Sequence, residues 1–142
     1  MTTAAELLQY KGNEVVSIAQ DATVFAALQL MSNHNVGALL VMEGDRVIGI
    51  LSERDYARKV ILQGRASKFT RVGDIMSRAF ISVTHDTPAE ECLGIMTEKR
   101  VRHLPVIDDT VLVGLISIGD VVRAIIADRE FTIEQLERYI TS

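Results

Sequence analysis

Shifted by 65 residues, this chain lies over itself without a gap. Residues 16–61 align with residues 81–126, and 12 of those 46 positions are identical. Ser17 meets Ser82, Asp21 meets Asp86, Leu28 meets Leu93 and Met31 meets Met96. Val36, Leu39 and Val41 meet Val101, Leu104 and Val106. Gly49, Ser52, Asp55, Arg58 and Ile61 then meet Gly114, Ser117, Asp120, Arg123 and Ile126. Of the remaining 34 pairs, 13 are apolar on apolar. A repeat of this length means one supersecondary unit used twice.

Both halves carry the same pattern. β-Branched runs at 15–19 and 80–84 predict short strands. Asp21 and Thr23 precede a helix expected to run to about Asn33, and Thr87-Pro88-Ala89-Glu90 predicts a capping box, with proline at the first helical position, for a helix to Lys99. Two hairpins follow, 38–42 with 46–51 and 103–107 with 111–116, joined by Glu43-Gly44-Asp45 and Asp108-Asp109-Thr110. Closing helices are expected over 52–62 and 117–128. The unit is therefore strand, helix, strand, strand, helix, an α+β arrangement.

One such unit buries too little apolar surface to offset chain entropy. Two are expected to pack sheet on sheet about a pseudo-twofold axis, with helices outside. The expected division is 1–66 for the first unit, 67–130 for the second and 131–142 for a short helical tail. Residues 3–9 and 72–76 read as lead-in helices to the first and second units.

The formal net charge is -4, from 15 basic and 19 acidic residues, which excludes a phosphate-neutralising nucleic-acid surface. No apolar run approaches the roughly 20 residues of a membrane helix. The first basic residue is Lys11 and the first arginine Arg46, so neither a secretory nor an Arg-rich transit segment is expected. Cys92 is the single cysteine, which excludes an internal disulfide and makes a reducing cytoplasmic setting the expectation. At that position it reads as a small core residue. His34, His85 and His103 show no metal-ligand spacing, so no metal is expected. No nucleophile–base motif is visible, so no catalytic residue and no enzyme activity is expected.

The repeated signature is Gly-x-x-Ser-x-x-Asp, at 49–55 and 114–120. Read structurally, the serine caps the closing helix and the acid three residues on completes a capping box. Read functionally, a helix start offers N–H groups and a hydroxyl to phosphate, and the carboxylate accepts two hydrogen bonds from a ribose diol. The halves differ where Arg102-His103 stands against Gly37-Ala38. Arg102 reads either as a phosphate partner or as a surface charge, and His103 either as a phosphate partner or as a half-buried histidine. Gly37 and Ala38 offer room. Residues 54–78 hold seven basic against two acidic side chains, +5 in a chain of -4, so the remainder is -9. Within that stretch Arg54, in the first helical turn beside Asp55, is the best-placed phosphate candidate. Lys11 is a further one.

These two signatures, together with Val101-Arg102-His103-Leu104-Pro105-Val106-Ile107 and Asp74-Ile75-Met76, resemble a free-standing pair of CBS domains, the Bateman module named after cystathionine β-synthase. The resemblance covers about residues 4–128 and is to the stand-alone signal-transduction type. It implies a regulatory module that binds an adenosine compound, such as AMP, ADP, ATP, NAD or S-adenosylmethionine, between the units. It implies Asp55 and Asp120 as ribose ligands with Ser52 and Ser117 beside them. Adenine would lie against Val16 and Ile18, or Ile81 and Val83, near Gly37, Ala38 and Pro105. Leu40 replaces the family's proline in the first half. The nucleotide would be a regulatory ligand and no catalytic cofactor. Output would pass to a downstream protein not named by the sequence; a thioredoxin-type redox enzyme is the alternative output, and catalysis on the nucleotide the alternative function. No nucleic acid and no membrane partner is expected. Broad apolar faces on the closing helices (Val60, Ile61 and Leu62; Val121, Val122, Ile125 and Ile126), with Phe25, Leu28 and Ile95, predict a homodimer.

Overall fold

A computed structural model describes residues 2–12 and 14–141. The elements are α1 (Ala4–Lys11), β1 (Ser17–Ile18), α2 (Val24–His34), β2 (Ala38–Glu43), β3 (Arg46–Ser52), α3 (Glu53–Lys59), α4 (Val72–Ile75), α5 (Ala89–Lys99), β4 (His103–Asp108), β5 (Val111–Ser117) and α6 (Ile118–Thr141). The chain divides into two compact units. One holds Glu14–Phe80 with Thr110–Leu112; the other holds α1, Ile81–Asp109 and the chain from Val113 onward.

The first of these contains the sheet β1-β2-β3. Its β1 runs parallel to β2, with Ser17 opposite Leu40 and Ile18 opposite Val41, while β2 and β3 form an antiparallel hairpin that places Ala38 opposite Ser52. Its core is Val24, Ala27 and Met31 of α2, Leu39, Val41 and Leu51 of the hairpin, and Val60, Val72, Ile75 and Met76. The other unit repeats this with β4 and β5, and with Ala89, Cys92, Met96, Leu104, Val106, Ile116 and Val121 in its core. Both first helices end in a left-handed residue, Asn35 (φ 53) and Arg100 (φ 56), 65 positions apart. The β-α-β-β-α order is thus present twice.

The lead-in helices belong to other cores than the sequence reading assigned. Leu7 and Leu8 of α1 pack in the core of the second half, and Val72 and Ile75 of α4 in that of the first. Backbone hydrogen bonds fix both placements. Ala4 N–H donates to Thr87 O and Ala89 N–H to Thr2 O, while Val72 N–H donates to Ala22 O and Val24 N–H to Thr70 O, all at 2.8–2.9 Å. The boundary expected at residue 66 therefore gives way to an exchange of lead-ins.

Other differences are local. The strand expected at 15–19 is two residues long, and that at 80–84 is a single parallel bridge, Val83 to Val106. Val83 still makes both ladder bonds, to Pro105 O and from Ile107 N–H. The Thr87 capping box does not form. Pro88 is the cap residue rather than the first helical one, Thr87 Oγ1 accepts from Thr84 N–H, and Glu90 Oε2 is buried with no partner among the described residues. The first closing helix stops at Lys59 and continues as a 3-10 turn, Ile61–Gln63. The second runs on for 24 residues and absorbs the expected tail, because no glycine or proline interrupts it after Gly119.

Gly114 and Gly49 sit where the lead-in segments, α1 and α4 with Met76, press on the closing strands β5 and β3. A Cβ on Gly114 would lie 2.6 Å from Leu8 Cδ2, and one on Gly49 would lie 2.7 Å from Met76 Sδ and 3.0 Å from Ser77 O. Gly94, in α5, has open space around it. Gly114→Ala is expected to lower the unfolding free energy by about 1–3 kcal/mol through overpacking against buried Leu8. Gly94→Ala is expected to raise it by about 0.5–1 kcal/mol through helix propensity. Urea titration of both variants checks the contrast, and equal effects would contradict the packing described.

Candidate functional site

Each closing strand ends in a serine and each closing helix opens on the residue after it, so the Gly-x-x-Ser-x-x-Asp segments are strand-to-helix junctions. In the first half, Asp55 Oδ2 accepts from Ser52 N–H at 2.9 Å and from Ser52 Oγ at 3.1 Å, while Ser52 Oγ accepts from Asp55 N–H at 3.2 Å. In the second, Asp120 Oδ2 accepts from Ser117 N–H at 2.8 Å and Ser117 Oγ accepts from Asp120 N–H at 3.2 Å. The residue after each serine donates backward, Glu53 N–H to Gly37 O at 3.0 Å and Ile118 N–H to Arg102 O at 2.9 Å. The helix starts are thereby largely satisfied within the fold. What the junctions offer outward is mainly carboxylate and hydroxyl.

The same bonds bring the expected site residues together. Gly37, Ala38, Ser52 and Asp55 meet at one junction. Arg102, Ser117 and Asp120 meet at the other, and His103 lies close enough to Asp120 and Lys11 to feel both charges. Val16 and Ile18 are half-buried against the first core. Ile81 is half-buried against the second, where Val83 and Pro105 are buried. Arg54 and Arg102 have exposed side chains.

The two carboxylates differ in their cations. Asp55 Oδ1 has Lys59 Nζ at 3.4 Å, from the next turn of its own helix. Asp120, 11% exposed, has Lys11 Nζ at 2.7 Å on Oδ2 and Arg123 at 2.7 Å on Oδ1. Lys11 also donates to Leu115 O at 2.8 Å. Sequence reading did not single out Arg123 or Lys59 as ligand candidates. Arg123 carried a signal, since it repeats Arg58 at three residues beyond the motif acid. The Lys11–Asp120 pair spans 109 residues and carried none. Lys11, Tyr10, Leu7, Arg123, Ala124 and Ala127 contribute to a cleft of about 510 Å³ between α1 and α6.

The family model of the CBS domain matches residues 6–61 and 72–127. The chain belongs to the CBS-domain family. Over 148 aligned residues it is 42% identical to the CBS domain-containing protein CBSX3, mitochondrial, of Arabidopsis thaliana, covering 98% of this chain and 72% of that one. It is 34% identical to the CBS domain-containing protein YhcV of Bacillus subtilis, covering 75% and 76%. A solved structure with CBS domains from Burkholderia ambifaria MC40-6 is 47% identical, with a TM-score of 0.86 over 89% of this chain and 96% of that one. A CBS domain protein of Pyrobaculum aerophilum complexed with AMP shares the fold at 24% identity and a TM-score of 0.75, over 84% and 89% of the two chains.

In this CBS pair, electrostatics concentrate on the second junction. Burial works to raise the Asp120 carboxyl, but hydrogen bonds from Lys11 and the Ser117 backbone outweigh it and hold it below the usual value. Burial, then the Lys11 cation, pushes His103 below its ordinary value; Asp120 opposes this and Arg102 adds to it. Burial and neighbouring Glu91 push the Cys92 thiol up to about 11, which leaves it unreactive. Among the described residues, no helix is long and apolar enough to cross a membrane and no cluster of three or more His, Cys, Asp or Glu is placed to hold a metal.

The two perturbed histidines have opposite pH signatures. His103, depressed in the fold, contributes stability that is present above its unfolded value and lost as pH falls from there through the lower folded one. Exposed His85 is raised, first by its hydrogen bond to Asp108 and then by that group's charge, so its contribution is present at low pH and lost as pH rises. Between about pH 7 and 5.5, His103→Gln is expected to flatten the fall in melting temperature and His85→Gln to steepen it. Scanning calorimetry across that range checks both signs, and the reverse order would contradict the burial of His103.

Proposed function

We propose that this CBS pair is a regulatory module that binds an adenine nucleotide at the second junction and reports it to a partner protein. The observation that supports this most is the Asp120 carboxylate. It is fixed by its capping box, held ionised, and flanked by Lys11, Arg123 and His103. A rigid carboxylate suits a vicinal diol, because each oxygen accepts one O–H. The surrounding cations and imidazole suit phosphate. Candidate ligands are AMP, ADP, ATP, NAD and S-adenosylmethionine, with adenine against Ile81, Val83 and Pro105. Ser117 lies beside the ribose, and Arg102 is the further phosphate contact. Asp55, Ser52 and Arg54 form a second, less cationic site, with Val16, Ile18, Gly37 and Ala38 on its adenine side. The Pyrobaculum aerophilum protein complexed with AMP adds only that this fold accommodates such a ligand. The module binds and releases its ligand unchanged. The single buried thiol suits a reducing compartment, the cytoplasm in this reading.

Calorimetric titration with these nucleotides tests the assignment. Asp120→Ala is expected to weaken binding about ten- to a hundred-fold, or about 1.5–3 kcal/mol. Loss of the cap alone would cost about 1 kcal/mol of stability and leave affinity unchanged. Unchanged affinity in both Asp120→Ala and Asp55→Ala would sink the ribose assignment.

We further propose a homodimer as the working form. Leu62 is 76% and Ile126 52% exposed, and Ile61 and Val122 are also exposed, so the closing helices present apolar surface. Val60 and Val121, expected on the same faces, are core residues instead. Light scattering at low micromolar concentration is expected to give about twice the 15.7 kDa chain mass. A monomer with and without nucleotide would refute it.

A further inference from the structure

We propose that Lys11 makes the Asp120 site selective for phosphorylated nucleosides: the ribose diol displaces its ammonium from Asp120, and only a ligand carrying phosphate gives that ammonium a new anion. The proposal rests on the ribose assignment above and concerns how that site chooses its ligand. Nothing in the shared CBS signature supplies it, since Lys11 lies outside both motif segments.

The argument begins with the lone pairs of Asp120. Oδ2 already accepts from Ser117 N–H at 2.8 Å and from Lys11 Nζ at 2.7 Å, so its two lone pairs are filled. Oδ1 accepts from Arg123 and has room for one more donor. A vicinal diol gripping both oxygens needs one acceptor position on each. The Ser117 N–H is part of the helix cap and stays. Lys11 is the donor that must move. Its side chain is 35% exposed and hangs from the last turn of α1, where Gly12 (φ 99) ends the helix. It keeps one neutral acceptor, Leu115 O.

For an unphosphorylated nucleoside, this exchange trades an ion pair for hydrogen bonds from neutral hydroxyls and leaves a cation without its anion. For a nucleotide, the phosphate lies one sugar ring from the diol, within the swing of a lysine side chain. The ammonium then passes from carboxylate to phosphate with no net loss of pairing. At the first junction, where Met76 fills the gap at Gly49 as Leu8 fills that at Gly114, the place of Lys11 falls on Ala79, and the cation on Asp55 is Lys59 of the same helix at the longer 3.4 Å.

Lys11→Met keeps a long unbranched side chain and removes its charge. Titrations with AMP and with adenosine on wild type, Lys11→Met and Lys11→Arg give the test. Wild type is expected to prefer AMP by about tenfold or more. Lys11→Met is expected to bind adenosine at least as tightly as wild type and to prefer AMP by less than about threefold; Lys11→Arg is expected to keep the preference. A second measurement needs no variant. Inorganic phosphate is expected to tighten adenosine binding by wild type several-fold against chloride at equal ionic strength, because the two ligands share Lys11 favourably. An unchanged preference in Lys11→Met, or adenosine binding indifferent to phosphate, overturns the role of Lys11 and leaves the nucleotide reading standing. No binding of any adenine compound by wild type overturns that reading, and this one with it.

Discussion

The constraint on which both units depend is the close approach of a helix to the middle of each closing strand. At Gly114 the missing side chain is replaced by Leu8, and at Gly49 by Met76, each at a distance no Cβ tolerates. That contact seats α1 and α4 in cores that the hairpin and one helix leave incomplete. It acts three residues before the serine that caps the closing helix. The strand is thus clamped on one side just before the chain turns into α3 or α6, and the motif carboxylate emerges from a backbone held by packing and by its own capping box. In the proposed reading, diol recognition at so small a site rests on this rigid carboxylate at a fixed helix start.

The repeat made most of this legible. Paired apolar positions placed both hairpins and both cores, because strand alternation and helical spacing are local signals that a 65-residue shift shows twice. The junction residues were legible for the same reason. Partner choice was not. Leu7 and Leu8 in α1 and Val72 and Ile75 in α4 are equally good apolar stripes for either core, and a short amphipathic helix does not say which surface it covers. The first strands were over-read because β-branched residues mark a buried extended segment whether or not it pairs along its length. At Thr87 the hydroxyl turned to Thr84, and the chain spent it on the preceding turn instead of the helix.

Charge was the least legible feature. The basic stretch at 54–78 suggested that phosphate-binding groups lie around the first motif. Within it, Arg71 donates to Asp21 O, Lys59 to Ile75 O and Arg65 lies 4.0 Å from Asp74, so part of that charge holds loops and helix ends in place. The cations that meet a buried motif carboxylate most closely come from elsewhere, one from the N-terminal helix and one from a single turn beyond the acid. Local sequence composition therefore does not show which motif carboxylate has the closest cations, because the Lys11 contact is set by the tertiary placement of α1.

This asymmetry bears on how binding becomes a signal. A ligand moves an equilibrium only through a difference in its affinity for two states. At Asp55 the cation is Lys59 of the same short helix, whose ammonium also donates to Ile75 O of α4. At Asp120 the carboxylate joins α6 to α1 through Lys11, and the same ammonium is bound to Leu115 of β5. The far end of α1 is tied to α6 as well, by Thr2 N–H and Oγ1 to Asp128. In the proposed reading, a ligand at Asp120 takes the Lys11 tie between α1 and α6 and leaves the bonds from Thr2 to Asp128 and from Lys11 to Leu115 O. The two junctions share a fold, and the second differs in that its carboxylate is itself paired with a cation from another helix.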